Sequence, residues 1–451
     1  MAKVKSSYVC NNCGAVTHKW FGKCFSCGAF NSITEEIIEQ TKSSDDNRYK
    51  TLTPENLNSA VGEHEERIVL PSTELNRILG GGLVRGSAVL IGGEPGIGKS
   101  TLLLQLAIDL GKMNLKCLYV SGEESKQQIK LRAKRLDTGD NDNVLLISES
   151  NLHIIHKTAA ECKDLDLIIL DSIQTVLSDQ ISSAAGSVSQ VRMVAQELIQ
   201  YAKKQNVILV LVGHVTKEGQ IAGPKVLEHM VDTVLYFESD QNYYLRILRA
   251  IKNRFGGINE IGVFEMTQNG LVEVKNASEL FITQRSQSIV GSSVFATIEG
   301  SRPFLVEIQA LLAPCQMPMP RRAVVGWDLS RLSMILAVLS VRCKLNLANF
   351  EVYLNVAGGF KLSDPAGDLS VAAAIISAAL NVPLPLNSIF FGEISLSGEV
   401  RPVSQMTSRI NEARRLGFDT VILSHSEKNK DGATKAIKDV GELKNFILNI
   451  N

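Results

Sequence analysis

One loop of the sequence has the residue types and spacing that bind a nucleotide. Residues 93–100 read GEPGIGKS and fit the pattern G-x4-G-K-[ST], between the apolar run AVLIG and the helical run STLLLQLAIDLGKM. Backbone N–H groups of such a loop wrap phosphates, Lys99 can reach the terminal phosphates, and the Ser100 hydroxyl can ligate Mg²⁺. The predicted ATP and Mg²⁺ site comprises Gly93, Glu94, Pro95, Gly96, Ile97, Gly98, Lys99, Ser100 and Thr101.

Acidic residues follow two other apolar runs. Asp171 ends LIIL, where it can hold Mg²⁺ through water, although an Asp at a strand end can also cap the next helix. Glu123 and Glu124 follow CLYVS, and we expect one of them to activate the attacking water. Glu123 is the preferred base and Glu124 the alternative.

His214 follows the apolar run VILVLV, so it also falls at a predicted strand end. Polar residues at the carboxyl edge of a parallel sheet lie where ligands bind. His214 is therefore a candidate sensor of the γ-phosphate, with an ordinary structural histidine as the other interpretation.

Four cysteines near the amino terminus have metal-ligand spacing. Cys10, Cys13, Cys24 and Cys27 give C-x2-C-x10-C-x2-C, with a glycine directly after each pair. Four thiolates in two such turns suit tetrahedral Zn²⁺, while two disulfides are the alternative. The intervening Lys19, Trp20, Phe21 and Lys23 form a basic and aromatic set that suits either DNA or a protein partner.

Composition limits the class of protein. Hydrophobic residues make up 45% of the 451 residues, and 47 basic residues balance 47 acidic ones, so no overall positive charge indicates nucleic-acid binding. The sequence has no stretch of 18 apolar residues and no secretory signal at its start, so we expect a cytoplasmic protein without a membrane partner.

The pattern along the chain predicts an α/β protein with three domains. A zinc finger at 1–33 and a polar linker at 34–66 precede apolar runs that alternate with helical stretches, as in a mostly parallel sheet covered on both faces. TVLYF, YYLRILRAI and IGVFEM are predicted to add antiparallel strands, with a turn at Asn269–Gly270. The ATPase domain is assigned to 67–285 and a separate α/β domain to 286–451.

Several segments together resemble the bacterial RadA (Sms) family. They are LNRILGGGLVRGSAVLIGGEPGIGKST, YVSGEES, LIILDSIQT and, above all, KNRFG at 252–256. The resemblance implies a RecA-like P-loop ATPase with an amino-terminal zinc finger and a carboxyl-terminal Lon-protease-like domain. It further implies a DNA-dependent ATPase of recombinational repair, a ring-shaped homo-hexamer that moves on single-stranded and branched DNA and promotes branch migration together with RecA.

Two consequences of the resemblance concern particular residues. Lys252 and Arg254 belong to KNRFG, and a Lys-x-Arg pair at a strand end is suited to reaching the γ-phosphate of a neighbouring subunit. Lon proteases use a Ser-Lys dyad, but Ala366 and Thr407 stand at the corresponding positions here. The domain is therefore expected to have no peptidase activity, and nearby Ser370 and Lys361 do not make an obvious replacement dyad.

Two other functions remain as alternatives to the DNA-dependent motor. The first is an ATP-dependent protease, against which the missing dyad argues. The second is a regulatory scaffold in which ATP sets the state of assembly rather than driving movement. Stimulation of ATP turnover by DNA separates the motor from the scaffold.

Overall fold

A computed structural model of the chain describes residues 5–10, 15–26, 28–38, 66–136, 141–214, 226–239, 245–274, 278, 282, 289–316, 319–357, 361–425 and 434–450. The chain divides into two compact units. The first comprises 1–239 with 245–273, and the second comprises 240–244 with 274–451. In the described parts of the chain, no helix is both long and apolar enough to cross a membrane.

A small antiparallel sheet lies near the amino terminus. Its strands are β1 (Lys5–Cys10), β2 (Val16–Thr17) and β3 (Ile33–Ile38), in the order β2-β1-β3. Every residue of β1 pairs with a residue of β3, so this sheet continues past residue 33, where the sequence predicted the linker to begin. The polar residues Glu35 and Glu36 hid a strand that pairs along its whole length with β1.

The second sheet has nine strands in the order β14-β13-β12-β11-β6-β10-β9-β7-β8. A short antiparallel pair, β4 (Arg67–Ile68) and β5 (Leu83–Val84), precedes it. The strands of the large sheet are β6 (Ala88–Gly93), β7 (Lys116–Ser121), β8 (Val144–Ser148), β9 (Leu165–Asp171), β10 (Ile208–His214), β11 (Thr233–Ser239), β12 (Leu245–Asn253), β13 (Ile261–Thr267) and β14 (Gly270–Glu273).

Strands β6 to β11 pair with one another in parallel, which confirms the mostly parallel sheet. TVLYF forms β11, which runs parallel to β6 on one side and antiparallel to β12 on the other, so the predicted antiparallel part of the sheet begins at the β11–β12 pair and continues through β14. The hairpin between β13 and β14 does turn at Asn269–Gly270, where Gly270 has φ 106°.

Helices cover both faces of this sheet because its strands are apolar on both sides. The helices are α1 (Thr73–Leu79), α2 (Lys99–Lys112), α3 (Lys126–Arg135), α4 (Leu152–Glu161), α5 (Val188–Gln205) and α6 (Val226–Met230). One apolar core joins α1, α2 and α3 to one face, and a second joins α4, α5 and α6 to the other. Alternate residues of β6 divide between them, with Val89 and Ile91 in the first core and Ala88 and Leu90 in the second.

The second unit is also α/β. Its strands are β15 (Ser292–Glu299), β16 (Arg302–Pro314), β17 (Arg322–Val325), β18 (Phe350–Val356), β19 (Ser388–Phe390), β20 (Glu393–Ile394), β21 (Val400–Arg401), β22 (Thr420–Ser424) and β23 (Thr434–Ile437). They form sheets ordered β15-β16-β18-β17, β19-β22-β23 and β20-β21. The helices are α7 (Leu329–Arg342), α8 (Asp368–Leu380), α9 (Met406–Arg415) and α10 (Val440–Leu448).

Candidate active site

The phosphate-binding loop joins the end of β6 to the start of α2. Gly96 and Gly98 have φ angles of 77° and 117°, a backbone conformation that favours glycine. A Cβ atom at Gly98 would lie 2.7 Å from Met266 Cε, the end of a flexible side chain, so the positive φ is the stronger reason for glycine at this position. The side chain of Arg246, on β12, donates to the carbonyl of Ile97 at 3.1 Å and fixes the other side of the loop.

Lys99 is held inside the loop that it terminates. Its Nζ donates to the carbonyls of Gly93 at 2.7 Å and Glu94 at 2.8 Å. Burial lowers the pKa of Lys99, while the nearby carboxylates of Asp171, Glu123 and Glu94 favour its charged form. The ammonium group therefore lies between the loop carbonyls and the acidic side of the site.

Asp171 forms that acidic side at the end of β9, next to Ser121 of β7. The buried Tyr119 hydroxyl donates to Asp171 Oδ2 at 2.7 Å. Burial and the adjacent Asp171 carboxylate raise the pKa of Tyr119 well above its usual value, so the hydroxyl stays protonated and remains a donor. One oxygen of Asp171 is thus fixed by the protein.

The two consecutive glutamates have different surroundings. Ser172, the residue after Asp171, donates from Oγ to Glu123 Oε1 at 2.7 Å and so holds Glu123 beside the end of β9. Glu124 instead forms an ion pair with Arg132 of α3. Both main-chain N–H groups donate to Ser121 Oγ, so a single turn aims the two carboxylates in different directions.

Gly122 makes this turn possible. A Cβ atom there would lie 2.0 Å from Thr175 Oγ1, a distance that real structures do not allow. The sequence GEES therefore has a steric requirement at its first position and charged groups at its second and third.

These groups surround a cavity of about 360 Å³. Its lining includes Lys99, Ser100 and Thr101 from α2, together with Glu123 and Asp171 from the strand ends. The last residue of β10, His214, pairs with Gly93, which places its backbone beside the start of the phosphate-binding loop. The structure thus brings the predicted loop and acidic residues together at one edge of the sheet.

Lys252 and Arg254 lie at the opposite edge. The carbonyl of Asp232 accepts from Arg254 N, and the Asp232 carboxylate accepts from Ala88 N, at the first residue of β6. Gly93 is five residues further along β6, about 16 Å at the usual rise of a strand. The two basic residues therefore do not join the nucleotide cavity of their own chain.

The side chains of Lys252 and Arg254 are also held differently. Lys252 Nζ donates to the carbonyls of Glu228 and Val231, both at 2.7 Å, at the end of α6. Burial and the neighbouring Arg254 lower the pKa of Lys252. Arg254 forms a 3.0 Å ion pair with Asp232, but its side chain is 56% exposed.

The other residues of KNRFG have structural contacts. Asn253 Nδ2 donates to the carbonyl of Ile78, and its Oδ1 accepts from Phe255 N. Gly256 contacts the backbone of Gly80 so closely that a Cβ atom on either glycine would clash. The motif thus packs a turn against the end of α1 and leaves Arg254 on the surface.

The amino-terminal cysteines can be placed in part. Cys10 and Cys24 are buried in one small cluster with Ile33, and Cys13 and Cys27 lie outside the described residues. Gly28 N donates to the Cys24 carbonyl at 2.9 Å, with Gly28 at φ 76°, so the chain turns sharply after the second pair. Two thiols at neighbouring turns fit the donor set of a zinc site. Lys19, Trp20, Phe21 and Lys23 are all exposed.

The positions that correspond to a Lon dyad lie in the second unit. Ala366 is fully buried in a 3-10 turn at Pro365–Gly367, and Thr407 lies on α9. Ser370 is also fully buried, and its Oγ lies 2.7 Å from Ser293 Oγ. Lys361 is exposed.

Arg331 is a basic residue of the second unit and lies in the first turn of α7. Its guanidinium donates to both carboxylate oxygens of Asp368, at 2.5 and 2.7 Å. Asp368 is buried and also accepts from Ile394 N at 3.1 Å. Arg331 is therefore held by an ion pair inside its own unit.

Three side chains of the nucleotide site were missed by sequence reasoning: Tyr119, Ser172 and Arg132. Tyr119 lies within a predicted strand, and Ser172 directly follows the predicted acidic residue. Placing β7 beside β9 could have indicated that both residues lie near Asp171. Arg132 is on α3 and Glu124 precedes that helix, so no helical spacing in the sequence indicated the pair.

Comparison with protein families matches three parts of the chain. Residues 8–35 match a rubredoxin metal-binding domain, residues 54–220 an AAA domain, and residues 331–427 the ChlI subunit of Mg-chelatase. Among curated relatives, the DNA repair protein RadA of Rickettsia felis is 53% identical over 99% of this chain and 100% of its own length. The chain belongs to the RadA family.

Other RadA relatives agree. RadA of Brucella abortus is 51% identical over 93% of this chain and 91% of that protein. RadA of Bacillus subtilis is 47% identical over 96% of this chain and 95% of that protein. Among solved structures, a chain described as an ATPase domain aligns weakly, with a TM-score of 0.41 and 15% identity over 48% of this chain and 95% of that one. This RadA family member therefore has an amino-terminal zinc ribbon, a P-loop ATPase core and a Lon- and ChlI-like carboxyl-terminal domain.

Proposed function

We propose that this chain is a DNA-dependent ATPase of recombinational DNA repair. The observation that carries the proposal is the cavity in which Lys99 and Ser100 of the phosphate-binding loop face Glu123 and Asp171. A cation at the phosphates, a hydroxyl and an acid for Mg²⁺, and a separate carboxylate for water are the groups that ATP hydrolysis requires. Membership of the RadA family, whose curated relatives carry the name DNA repair protein, supports the biological setting.

Each residue of the cavity has a proposed role. Residues 93–98 bind the phosphates with their N–H groups, and Lys99 contacts the terminal phosphates. Ser100 and Asp171 would hold Mg²⁺, which when bound neutralises charge on the β- and γ-phosphates. Glu123 orients and deprotonates the attacking water, and Ser172 positions it through their 2.7 Å hydrogen bond. His214 senses the γ-phosphate.

Glu123 is favoured over Glu124 as the base because the two carboxylates have different contacts. Glu124 is held in an ion pair by Arg132, whereas the Ser172 hydroxyl holds Glu123 beside the end of β9. Substitution of each glutamate by glutamine tests the choice. We expect E123Q to bind ATP but to lose nearly all turnover, and E124Q to retain turnover; the reverse pattern would assign the base to Glu124.

Lys252 and Arg254 act on the nucleotide of a neighbouring subunit. Since Arg254 lies about 16 Å along the sheet from its own phosphate-binding loop, an effect of this residue on hydrolysis requires a second chain. Arg254, with its exposed side chain, serves as the arginine finger, and Lys252 fixes the end of α6 beside it. The assembly is a homo-hexameric ring, which mass photometry of the ATP-bound protein can test.

The ring translocates on single-stranded DNA and promotes branch migration together with RecA, in the cytoplasm. A labelled three-strand recombination intermediate, incubated with ATP and RecA, tests this step. We expect faster extension of the heteroduplex with the wild-type chain than with E123Q. Equal extension by both would leave an ATPase without a role in branch migration.

Cys10, Cys13, Cys24 and Cys27 bind one Zn²⁺ that folds the ribbon, since so short a segment lacks a core of its own. Metal analysis of the purified protein tests the stoichiometry.

The carboxyl-terminal domain has no peptidase activity and serves as a scaffold for ring assembly or for DNA binding. Ala366 cannot act as a nucleophile, and Ser370 is buried against Ser293 rather than next to a lysine. Absence of ATP-dependent casein degradation is the expected result.

A further inference from the structure

Arg132 is a second basic group of the nucleotide cavity. It lies on α3, which follows directly after the turn that carries Glu123 and Glu124. Its side chain is 20% exposed and lines the same cavity as Lys99, Ser100 and Asp171. The α3 helix begins at a Ser125–Gln128 capping box, so the position of its first turns is well fixed.

Only part of the Arg132 guanidinium has a partner. Nη2 is ion-paired with Glu124, whereas Nη1 is buried and has no hydrogen-bond acceptor among the described residues. A buried guanidinium N–H without an acceptor is costly, and such groups in native structures usually have an unseen partner. Since Arg132 lines the nucleotide cavity, a bound nucleotide is the natural source of that acceptor.

One oxygen of each acidic residue in the cavity has a partner other than Arg132 Nη1. Asp171 accepts from Tyr119, Glu123 accepts from Ser172, and Glu124 pairs with the other nitrogen of Arg132 itself. None of these bonds provides an acceptor for Arg132 Nη1, and a bound nucleotide would bring such an acceptor into the cavity. Phosphate oxygens are such acceptors, and a planar guanidinium binds them well.

We propose that Arg132 binds the terminal phosphate of ATP through Nη1 while Glu124 holds its other nitrogen. Arg132 then distinguishes ATP from ADP, because ADP has no γ-phosphate. Glu124 acts as a positioning residue that keeps the guanidinium aimed into the cavity. This inference rests on the proposed ATPase function and adds a phosphate-binding residue outside the G-x4-G-K-[ST] loop.

The test compares ATP with ADP binding by the full-length chain. Dissociation constants of fluorescent mant-ATP and mant-ADP are measured with Mg²⁺ for the wild type, R132Q, R132K and E124Q. Lys130 is an exposed basic residue on the same helix, so K130Q is the matched control for loss of positive charge. Thermal unfolding of each variant shows whether it folds.

We expect R132Q to weaken mant-ATP binding at least tenfold and mant-ADP binding less than threefold. R132K, which keeps the charge but loses the planar fork, should show a smaller loss that is again selective for ATP. E124Q should show a smaller loss than R132Q that is again selective for ATP, because Arg132 remains present but loses its positioning partner, and K130Q should change neither affinity.

Equal losses for ATP and ADP in R132Q and R132K, or an ATP-selective loss in K130Q as large as that in R132Q, would overturn the inference. If R132Q fails to fold, R132K alone decides, since an unchanged ratio of ATP to ADP affinity in that variant would also refute it. A wild-type chain that binds neither nucleotide would instead refute the proposed ATPase function.

Discussion

Replacing Tyr119 by phenylalanine should weaken the use of Mg²⁺ without disturbing the fold. The hydroxyl is the only part of Tyr119 that is removed, and it donates to Asp171 Oδ2 at 2.7 Å. Phenylalanine fills nearly the same volume in the core between β7 and α2. The loss is therefore confined to the orientation of the Asp171 carboxylate.

The size of the effect follows from the nature of this hydrogen bond. A hydrogen bond to a charged group contributes about 1.5–3 kcal/mol, and Tyr119 and Asp171 are 0% and 7% exposed, so water cannot easily replace the lost donor. At about 1.4 kcal/mol per factor of ten, we expect a roughly 10- to 150-fold combined loss in apparent Mg²⁺ affinity and turnover. Because the raised pKa of Tyr119 keeps the hydroxyl protonated, the loss should be the same from about pH 6 to pH 9.

The assay is a titration of Mg²⁺ at a fixed, saturating ATP concentration, with mant-ATP binding measured over the same range. Y119F should need a higher Mg²⁺ concentration for half-maximal binding and for half-maximal turnover. Tyr201→Phe is the control, since Tyr201 packs against His156 in the helical layer between α4 and α5. Mg²⁺ titrations of Y119F and wild type that coincide would refute the positioning role of Tyr119.

Three further predictions concern other parts of the ATPase domain. Gly122→Ala should lower the free energy of unfolding by about 1–3 kcal/mol and displace Glu123, because its Cβ would overlap Thr175; a fully active variant with an unchanged melting temperature would contradict this. Arg254→Ala should leave mant-ATP affinity unchanged and reduce turnover on the order of 10³-fold, as expected for a finger that acts on a neighbouring subunit. Restoration of hydrolysis when R254A is mixed with Lys99→Ala would support that geometry, and normal turnover by R254A alone would exclude it. Burial raises the pKa of Cys117 to about 12, so its thiol stays protonated at pH 8 and should resist iodoacetamide in the folded protein, as peptide mass spectrometry can show.

Local sequence patterns were enough to predict most residues of the candidate nucleotide site. Gly93 to Ser100 and Asp171 were predicted because a phosphate-binding loop and a strand-terminal acid depend on neighbours in sequence. The preference for Glu123 gains support from an ion pair that the sequence does not display, since Arg132 must fold back over a helical turn to reach Glu124. Tyr119 was read only as part of an apolar strand, because its contact with Asp171 depends on β7 and β9 being neighbours.

The location of KNRFG could not be predicted for a similar reason. Lys252 and Arg254 lie at the end of β12 in sequence, but the edge of the sheet they reach is set by β12 running antiparallel to β11. The extent of the amino-terminal sheet was underestimated because β3 pairs with β1, a partner more than twenty residues away in the sequence. Long-range pairing of strands therefore accounts for most of what the sequence did not predict.

In the proposed function, DNA controls ATP hydrolysis at this cavity. Steady-state ATP hydrolysis by the zinc-loaded chain, with and without single-stranded DNA and beside Lys99→Ala, tests it most directly. We expect single-stranded DNA to stimulate ATP turnover several-fold, and Lys99→Ala to abolish turnover both with and without DNA. Turnover that DNA leaves unchanged, or that survives in Lys99→Ala, would contradict it.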